Sequence, residues 1–340
     1  MSTLLTEDMA RLSAVVPCFN EEESLEELHR RLSAACAANA GGDYEIVLVD
    51  DGSKDLTWPK MQALAERDSH IVAVKLSRNH GHQLALSAGL KVCRGSRILI
   101  IDADLQDPPE LLDEMMTKMD AGAHVVYGRR KERRGETRFK RLTANVFYRI
   151  LDRLVEIDVP LDTGDFRLMS RKALDMLLRM PEQHRFIRGM VSWIGLEQVA
   201  QDYVREERFA GETKYPLPKM FALAFDAITG FSTKPLKIAS YLGFLFSILA
   251  LFGVLYTFYS LIFLNTVAGW ASVMTVVLVL GGIQLLVLGI MGEYLGRMFM
   301  EAKRRPIFLI EEIVRRDAPA KTDDQIASED EANMNAPSAR

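Results

Sequence analysis

The sequence predicts an α/β fold: a mostly parallel sheet with helices on both faces, followed by interfacial helices and a two-helix transmembrane hairpin. Three observations predict it. Over the first 130 residues, short apolar runs alternate with segments of helical periodicity, which is the pattern of a parallel sheet covered on both sides. The polar clusters Pro17–Glu22, Asp50–Ser53, Ser77–His82 and Asp102–Asp104 fall where those apolar runs end, at the carboxyl ends of strands where such sheets hold ligands. Further on, Ile238–Leu264 and Thr266–Gly292 contain no charged residue, and each is longer than the roughly 20 apolar residues that cross a bilayer.

The strands are expected at Leu12–Pro17, Glu45–Val49, Ile71–Leu76, Arg97–Ile101 and His124–Tyr127, where Val, Ile and Leu dominate. Between them, helices are expected at Glu22–Ala38, Pro59–Arg67, Gln83–Cys93 and Pro109–Ala121, with proline at a first turn where its missing N–H costs nothing. From Arg129 to Arg153 basic residues crowd together, with Phe139, Leu142, Val146 and Ile150 at helical spacing. That reads either as a membrane-surface helix or as a solvated helix packed on its own domain. Residues 1–215 then form the globular domain and 216–235 an interfacial juxtamembrane helix. The hairpin takes 236–296, a post-membrane helix 297–316, and a disordered acidic tail 317–340.

Lys234 and Lys237 precede the first span, and Arg297, Lys303, Arg304 and Arg305 follow the second, while the short connection carries no basic residue. Both termini and the globular domain are therefore expected in the cytoplasm of a multi-pass inner-membrane protein. Glu7 and Asp8, with no long apolar core around them, do not read as a signal peptide. Cys18, Cys36 and Cys93 have no metal-like spacing and fit buried positions in a reducing compartment. A formal net charge of −4 argues against a nucleic-acid partner.

The chemistry concentrates after the apolar run Ile98–Ile101. Side chains alternate along an extended chain, so Asp102, Asp104 and Gln106 share one side if the extension persists. Two carboxylates and an amide suit a hard divalent cation, Mg²⁺ or Mn²⁺. The alternative is a solvated acidic turn before a helix, capped by Asp107. Neither G-x-x-x-x-G-K-[ST] nor G-x-G-x-x-G follows the first strand, so a bound nucleotide would depend on metal, arginines and carboxylates. In Asp50-Asp51-Gly52-Ser53, Asp50 fits a structural turn and Asp51 a ligand role.

Four motifs occur in order: Val16-Pro17-Cys18-Phe19-Asn20-Glu21-Glu22, Val49-Asp50-Asp51-Gly52-Ser53, Asn79-His80-Gly81-His82-Gln83 and Asp102-Ala103-Asp104-Leu105-Gln106. Together they resemble the family-2 glycosyltransferases of GT-A, Rossmann-like fold. Asp162-Thr163-Gly164-Asp165-Phe166-Arg167, Gly211-Glu212-Thr213-Lys214-Tyr215 and the hairpin narrow the resemblance to the polyprenyl-phosphate glycosyltransferases. These include dolichol-phosphate mannose synthases and bactoprenol glucosyltransferases. The resemblance implies that Pro17, Phe19, Glu21 and Asp51 hold nucleobase and ribose, and that Asp102, Asp104 and Gln106 bind the metal gripping the diphosphate. Arg129 or Arg130, with Arg134 and Arg138, would meet the lipid phosphate, and Arg208 and Lys214 are further phosphate candidates. Gln183-His184-Arg185-Phe186 does not reproduce the Gln-x-x-Arg-Trp signature of processive synthases, which argues against a polymerase.

The resemblance implies inverting transfer of one sugar, best read as glucose, from a UDP-sugar to undecaprenyl phosphate at the cytoplasmic membrane face. Mannose or formyl-aminoarabinose transfer is the nearest enzymatic alternative, and a non-catalytic membrane sensor or scaffold the alternative of another class. The second pKa of a phosphate monoester is about 6, so the acceptor is largely dianionic and already nucleophilic. Asp104 and Asp165 are the expected catalytic residues. Asp165 resembles the family's assigned base, and here it would position the site or take a residual proton, unless it merely makes an Asp turn. A homo-oligomer and a downstream flippase are left open.

Overall fold

The computed structural model describes residues 10–130, 163–204, 234–263 and 269–316. Its strands are β1 (Leu12–Cys18), β2 (Tyr44–Asp50), β3 (Ile71–Leu76), β4 (Arg97–Ile100), β5 (Val125–Arg130), β6 (Thr163–Ser170), β7 (Gln198–Tyr203) and β8 (Ile310–Val314). They form one eight-stranded sheet in the order β7-β5-β6-β4-β1-β2-β3-β8. β4, β1, β2 and β3 run parallel, whereas β6 lies antiparallel between β4 and β5, and β8 antiparallel on β3. The helices before the hairpin are α1 (Leu25–Ala40), α2 (Thr57–Arg67), α3 (His82–Val92), α4 (Leu112–Asp120), α5 (Arg171–Leu178) and α6 (Ile187–Trp193).

The central strands are apolar on both faces, as a doubly covered parallel sheet requires. Leu12, Ala14 and Val16 of β1, with Ile46 and Leu48 of β2, pack under α1, α2 and α4, where Leu28, Leu32, Leu64 and Met115 are buried. Val15, Val47 and Val49 point the other way, into a cluster with Leu86, Leu174 and Met190 of α3, α5 and α6. Gly89 allows the close approach of α3: a Cβ there would run into the side chains of Val15 and Val49.

Three expectations change. The helix expected from Pro109 starts as a 3₁₀ turn at Pro109–Leu111 before α4. Arg129 and Arg130 do not open a basic helix; they end β5, which stays extended because β6 and β7 pair with it on either side. The rest of that basic segment, with Arg134 and Arg138, lies outside the described residues, as do Arg208, Lys214, residues 216–233 and the tail 317–340.

The third change concerns the helix expected over 297–316. The last helix runs on to Ala302, the chain reverses near Arg304, and Ile310–Val314 becomes β8 at the open edge of β3. That edge offers unpaired backbone groups, and an extended segment satisfies them. The Ser77 amide donates to the Leu309 carbonyl at 3.0 Å, and Lys75 pairs with Glu311 at 3.0 Å. A register shift between Lys75 and Leu76 turns one end of β8 over. Ile310 consequently packs on the α3 side of the sheet and Val314 on the α1 side.

The apolar helices are α7 (Lys234–Phe263, 30 residues) and α8 (Trp270–Ala302, 33 residues), and they pack against each other. At 1.5 Å per residue each is about 45–50 Å long, more than the ~30 Å hydrocarbon core of a bilayer. Both are apolar enough to cross a membrane, with Tyr241, Phe244, Phe252, Leu285 and Leu295 exposed. The surplus length of α8 reaches the globular domain. Glu301 accepts from the Gln183 amide at 2.7 Å, and the Gln183 side chain donates to the Arg305 carbonyl at 2.8 Å.

Candidate active site

The strand ends of β1, β2, β4 and β6 converge. β4 meets β6 antiparallel with Ile100 opposite Arg167, so Asp102, two residues after Ile100, and Asp165, two residues before Arg167, come to the same end of the sheet. The N-terminal end of α3 completes the group. His82 Nε2 lies 3.5 Å from Asp102 Oδ1 and 3.3 Å from Asp165 Oδ2.

Asp165 is the most heavily supported carboxylate here. Gln83 Nε2 donates to its Oδ2 at 2.8 Å, while Arg188 and Arg167 approach its Oδ1 at 3.6 and 3.8 Å. Burial opposes its charge, but Arg188, His82 and Arg167 outweigh burial and hold the carboxyl far below the usual range. His82 mirrors this: burial pushes the imidazole down, yet Asp165 and Asp102 lift it to about 9. Burial also lowers the Arg167 guanidinium to about 10, against the pull of Asp165. Asp165 stands in a strand, so an Asp turn is not its role.

Asp102 differs. Desolvation, with Asp107, Asp165 and Asp104 nearby, pushes it up to about 6 against the pull of His82. Its Oδ1 is buried and makes no hydrogen bond among the described residues. Asp104 is 8 % exposed, and its Oδ1 accepts the Gln106 amide at 3.2 Å. The expected persistence of extension fails here: β4 ends at Ile100 and Leu105 takes a left-handed φ of 57°. Asp102, Asp104 and Gln106 therefore lie on a turn rather than on one face of a strand. Among the described residues no three His, Cys, Asp or Glu side chains are grouped to hold a metal ion. Any divalent cation at this turn would draw on two carboxylates and the Gln106 amide, leaving its other positions to a diphosphate or water.

The residues expected around the nucleoside are spread over the neighbouring loops. Pro17 sits in β1 past its last pair with β4, so its missing N–H leaves no gap there. The Glu21 amide donates to Thr57 Oγ1 at 2.9 Å and the Asn20 amide to Ser53 Oγ at 2.9 Å, lacing the loop after β1, which includes Phe19, to the start of α2 and the loop after β2. Asp50 accepts the Ser53 amide at 3.1 Å, the turn role foreseen for it. Asp51 is 3 % exposed, and its two oxygens accept the His80 and Gly81 amides at 2.7 and 2.9 Å. It secures the loop that leads into α3.

Arg130 faces the site. It approaches Asp107 at 3.9 Å and donates to the Tyr203 hydroxyl at 3.2 Å, while that hydroxyl donates to Asp107. Arg129 turns the other way and pairs with Asp202 at 2.6 and 3.0 Å. Sequence reasoning assigned no role to His82, Gln83, Arg167 or Arg188. The first three stand inside motifs already singled out. Arg188 has no local signal, and only the packing of α6 brings it to Asp165.

The profile of Glycosyl transferase family 2 matches residues 13–178, and that of the GtrB C-terminal hairpin matches residues 234–298. The uncharacterized glycosyltransferase YkcC of Bacillus subtilis is 48% identical over 88% of this chain and 93% of its own. The chain belongs to glycosyl transferase family 2. Another relative, the bactoprenol glucosyl transferase of Shigella phage SfV, is 39% identical over 88% of this chain and 98% of its own. Among solved structures, S. aureus TarS 1-349 in complex with UDP-GlcNAc is similar with 19% identity and a TM-score of 0.45, over 64% of this chain and 65% of that one. The family-2 match covers β1 through α5, and the hairpin match covers α7 and most of α8.

Proposed function

We propose that this family-2 protein transfers a single glucose from UDP-glucose to undecaprenyl phosphate at the cytoplasmic face of the inner membrane, with inversion at the anomeric carbon. The observation that carries the reading is the joining of site and hairpin in one chain: the likeness to the SfV bactoprenol glucosyl transferase runs through both, over 98% of that relative's length. A carboxylate-rich strand end tethered to two apolar helices suits a water-soluble donor and an acceptor confined to the bilayer.

A divalent metal fits the turn, because Asp102 Oδ1, buried and without a hydrogen bond among the described residues, lies near a second buried carboxylate, Asp104. Asp102, Asp104 and Gln106 would hold it, and it would supply Lewis-acid stabilisation of the leaving diphosphate. Pro17, Phe19 and Glu21 would hold the nucleoside, while Asp51, whose two oxygens accept the His80 and Gly81 amides, would act through the loop it secures rather than as a ligand. Arg130 brings a guanidinium to the phosphates, suited to paired contacts with phosphate oxygens. Arg134, Arg138, Arg208 and Lys214 are assigned by sequence to the same task.

The test is transfer of label from a panel of radiolabelled sugar nucleotides to undecaprenyl phosphate by the purified full-length protein. UDP-glucose is expected to label the lipid, giving a β-linked product by NMR. Labelling only by another sugar nucleotide would reassign the donor, and no lipid product from any donor would refute the reading.

A further inference from the structure

Arg130 is held by a residue that stands in none of the sequence motifs. Tyr203 ends β7 and lies opposite Arg130 in the parallel pairing of β5 with β7, so the two side chains leave the same face of the sheet. Arg130 Nε donates to the Tyr203 hydroxyl at 3.2 Å. A guanidinium can only donate, so the hydroxyl accepts there and gives its own proton to Asp107. Tyr203 is 5 % exposed, and Asp107 is fully buried. Asp107 directly follows Gln106, the last residue of the turn assigned to the metal. One hydroxyl thus ties the arginine of β5 to the end of that turn.

The surroundings leave this arrangement little freedom. The Tyr203 and Phe166 rings meet edge-on, with centroids 5.7 Å apart. Gly128 has no room for a side chain: a Cβ there would lie 2.7 Å from a Phe166 ring carbon and 2.8 Å from a Tyr203 one. Gly164 makes room for the guanidinium in the same way, since a Cβ there would lie 2.7 Å from Arg130 Nη2. Strand register, ring packing and two glycines all serve the placing of one cation, whose side chain is still 24 % exposed.

We propose that Tyr203 is a positioning residue for the transfer: its hydroxyl fixes the direction of the Arg130 guanidinium and ties it to the turn that ends at Gln106. This rests on the phosphate role proposed above for Arg130. An arginine side chain has several rotatable bonds, and a phosphate that meets a mobile guanidinium must order it on binding. Held at Nε, the guanidinium is aimed before the phosphate arrives, which is the advantage of a preorganised site. The link to Asp107 adds a second effect. It keeps Arg130 at a set distance from the turn where the donor diphosphate would sit, so both phosphate-handling parts of the site share one frame.

The experiment is a double-mutant cycle on the purified full-length protein, with kcat and KM measured for UDP-glucose and for undecaprenyl phosphate. Tyr203→Phe keeps the ring and removes only the hydroxyl. It is expected to lower kcat/KM for the lipid acceptor about tenfold and to leave the UDP-glucose KM within about twofold, the same pattern as Arg130→Ala. In the Arg130→Ala background it should cost less than about twofold more, because the hydroxyl acts only through the arginine. UDP binding by calorimetry checks that each variant is folded. If Tyr203→Phe fails that check, Asp107→Asn, which keeps the ring and the hydroxyl, carries the same cycle. A loss that multiplies in full with that of Arg130→Ala, or that falls on the other substrate, would make Tyr203 a structural residue and overturn the proposal. Unaltered kinetics of Tyr203→Phe would overturn it too. If Arg130→Ala itself is without effect, the reading of Arg130 fails and the proposal with it. The unaltered protein is assayed first, and its failure to glycosylate the lipid would refute the underlying function, and this proposal, before any variant is made.

Discussion

Arg129 and Arg130 are consecutive in sequence, yet strand alternation puts one against Asp202 on the rim and the other beside Asp107 and Tyr203 in the site. Arg130→Ala is therefore expected to lower kcat/KM for the lipid acceptor by about one to two orders of magnitude, the loss of a charged hydrogen bond. Arg129→Ala should leave both substrates' kinetics within about twofold, since an exposed ion pair contributes little. Steady-state assays of the two variants side by side check this, and equal losses would contradict the alternation. For the metal, Asp104→Ala should abolish transfer with membrane insertion intact. Full activity of the unaltered protein in excess chelator would remove the cation from the reaction. Asp102 and Asp104 stood out in advance because they end an apolar run, whereas Asp165 was singled out through the family resemblance. What was not legible depends on backbone geometry or tertiary packing. Leu105 adopts a left-handed conformation that nothing in its side chain announces, and Arg188 arrives from a distant helix.

Among the elements, β1 to β5 were readable because apolar runs end in polar clusters, and their limits moved by three residues at most. β6 was harder to see: Asp165 and Arg167 are both buried within it, where a strand of this sheet is normally apolar, and they offset each other's charge. β8 misled through composition, since Ile-Glu-Glu-Ile-Val has its apolar residues at a spacing that suits a helix as well as an edge strand. Its anchor can be tested. Arg315, just past β8, pairs at 2.8 Å with Glu45, which is buried and also accepts from Ser13 and the Arg94 amide. Arg315→Ala should cost about 1.5–3 kcal/mol in denaturant unfolding, because a buried carboxylate loses its charged donor. A second clamp joins α1 to the turn before β3. Burial opposes ionisation of Asp68, but hydrogen bonds from His29, the His70 amide and the His70 ring hold it at about 2. Its contribution to stability is present above the ordinary aspartate pKa of about 3.9 and is lost as pH falls towards 2. Asp68→Asn should flatten that acid limb in denaturation midpoints measured against pH, and an unchanged limb would assign it to other carboxylates.

At the scale of the molecule, α7 and α8 pair, and α8 returns to the domain through Glu301 and Gln183. In the proposed orientation, Gly269→Cys should react with an impermeant thiol reagent from outside the cell, and Ser328→Cys only after permeabilisation. The native cysteines are buried and should stay silent. The reverse pattern would cut the site off from cytoplasmic sugar nucleotides. The position of β8 also bears on how the protein is made. A ribosome delivers β1 to β7 first, then both apolar helices, and only afterwards the strand that pairs with β3. Until then β3 is an open edge, the kind of surface along which nascent chains stick to one another. The sheet can be finished only after both apolar helices have been synthesised, so its last edge is closed by nearly the last of the described residues to be made.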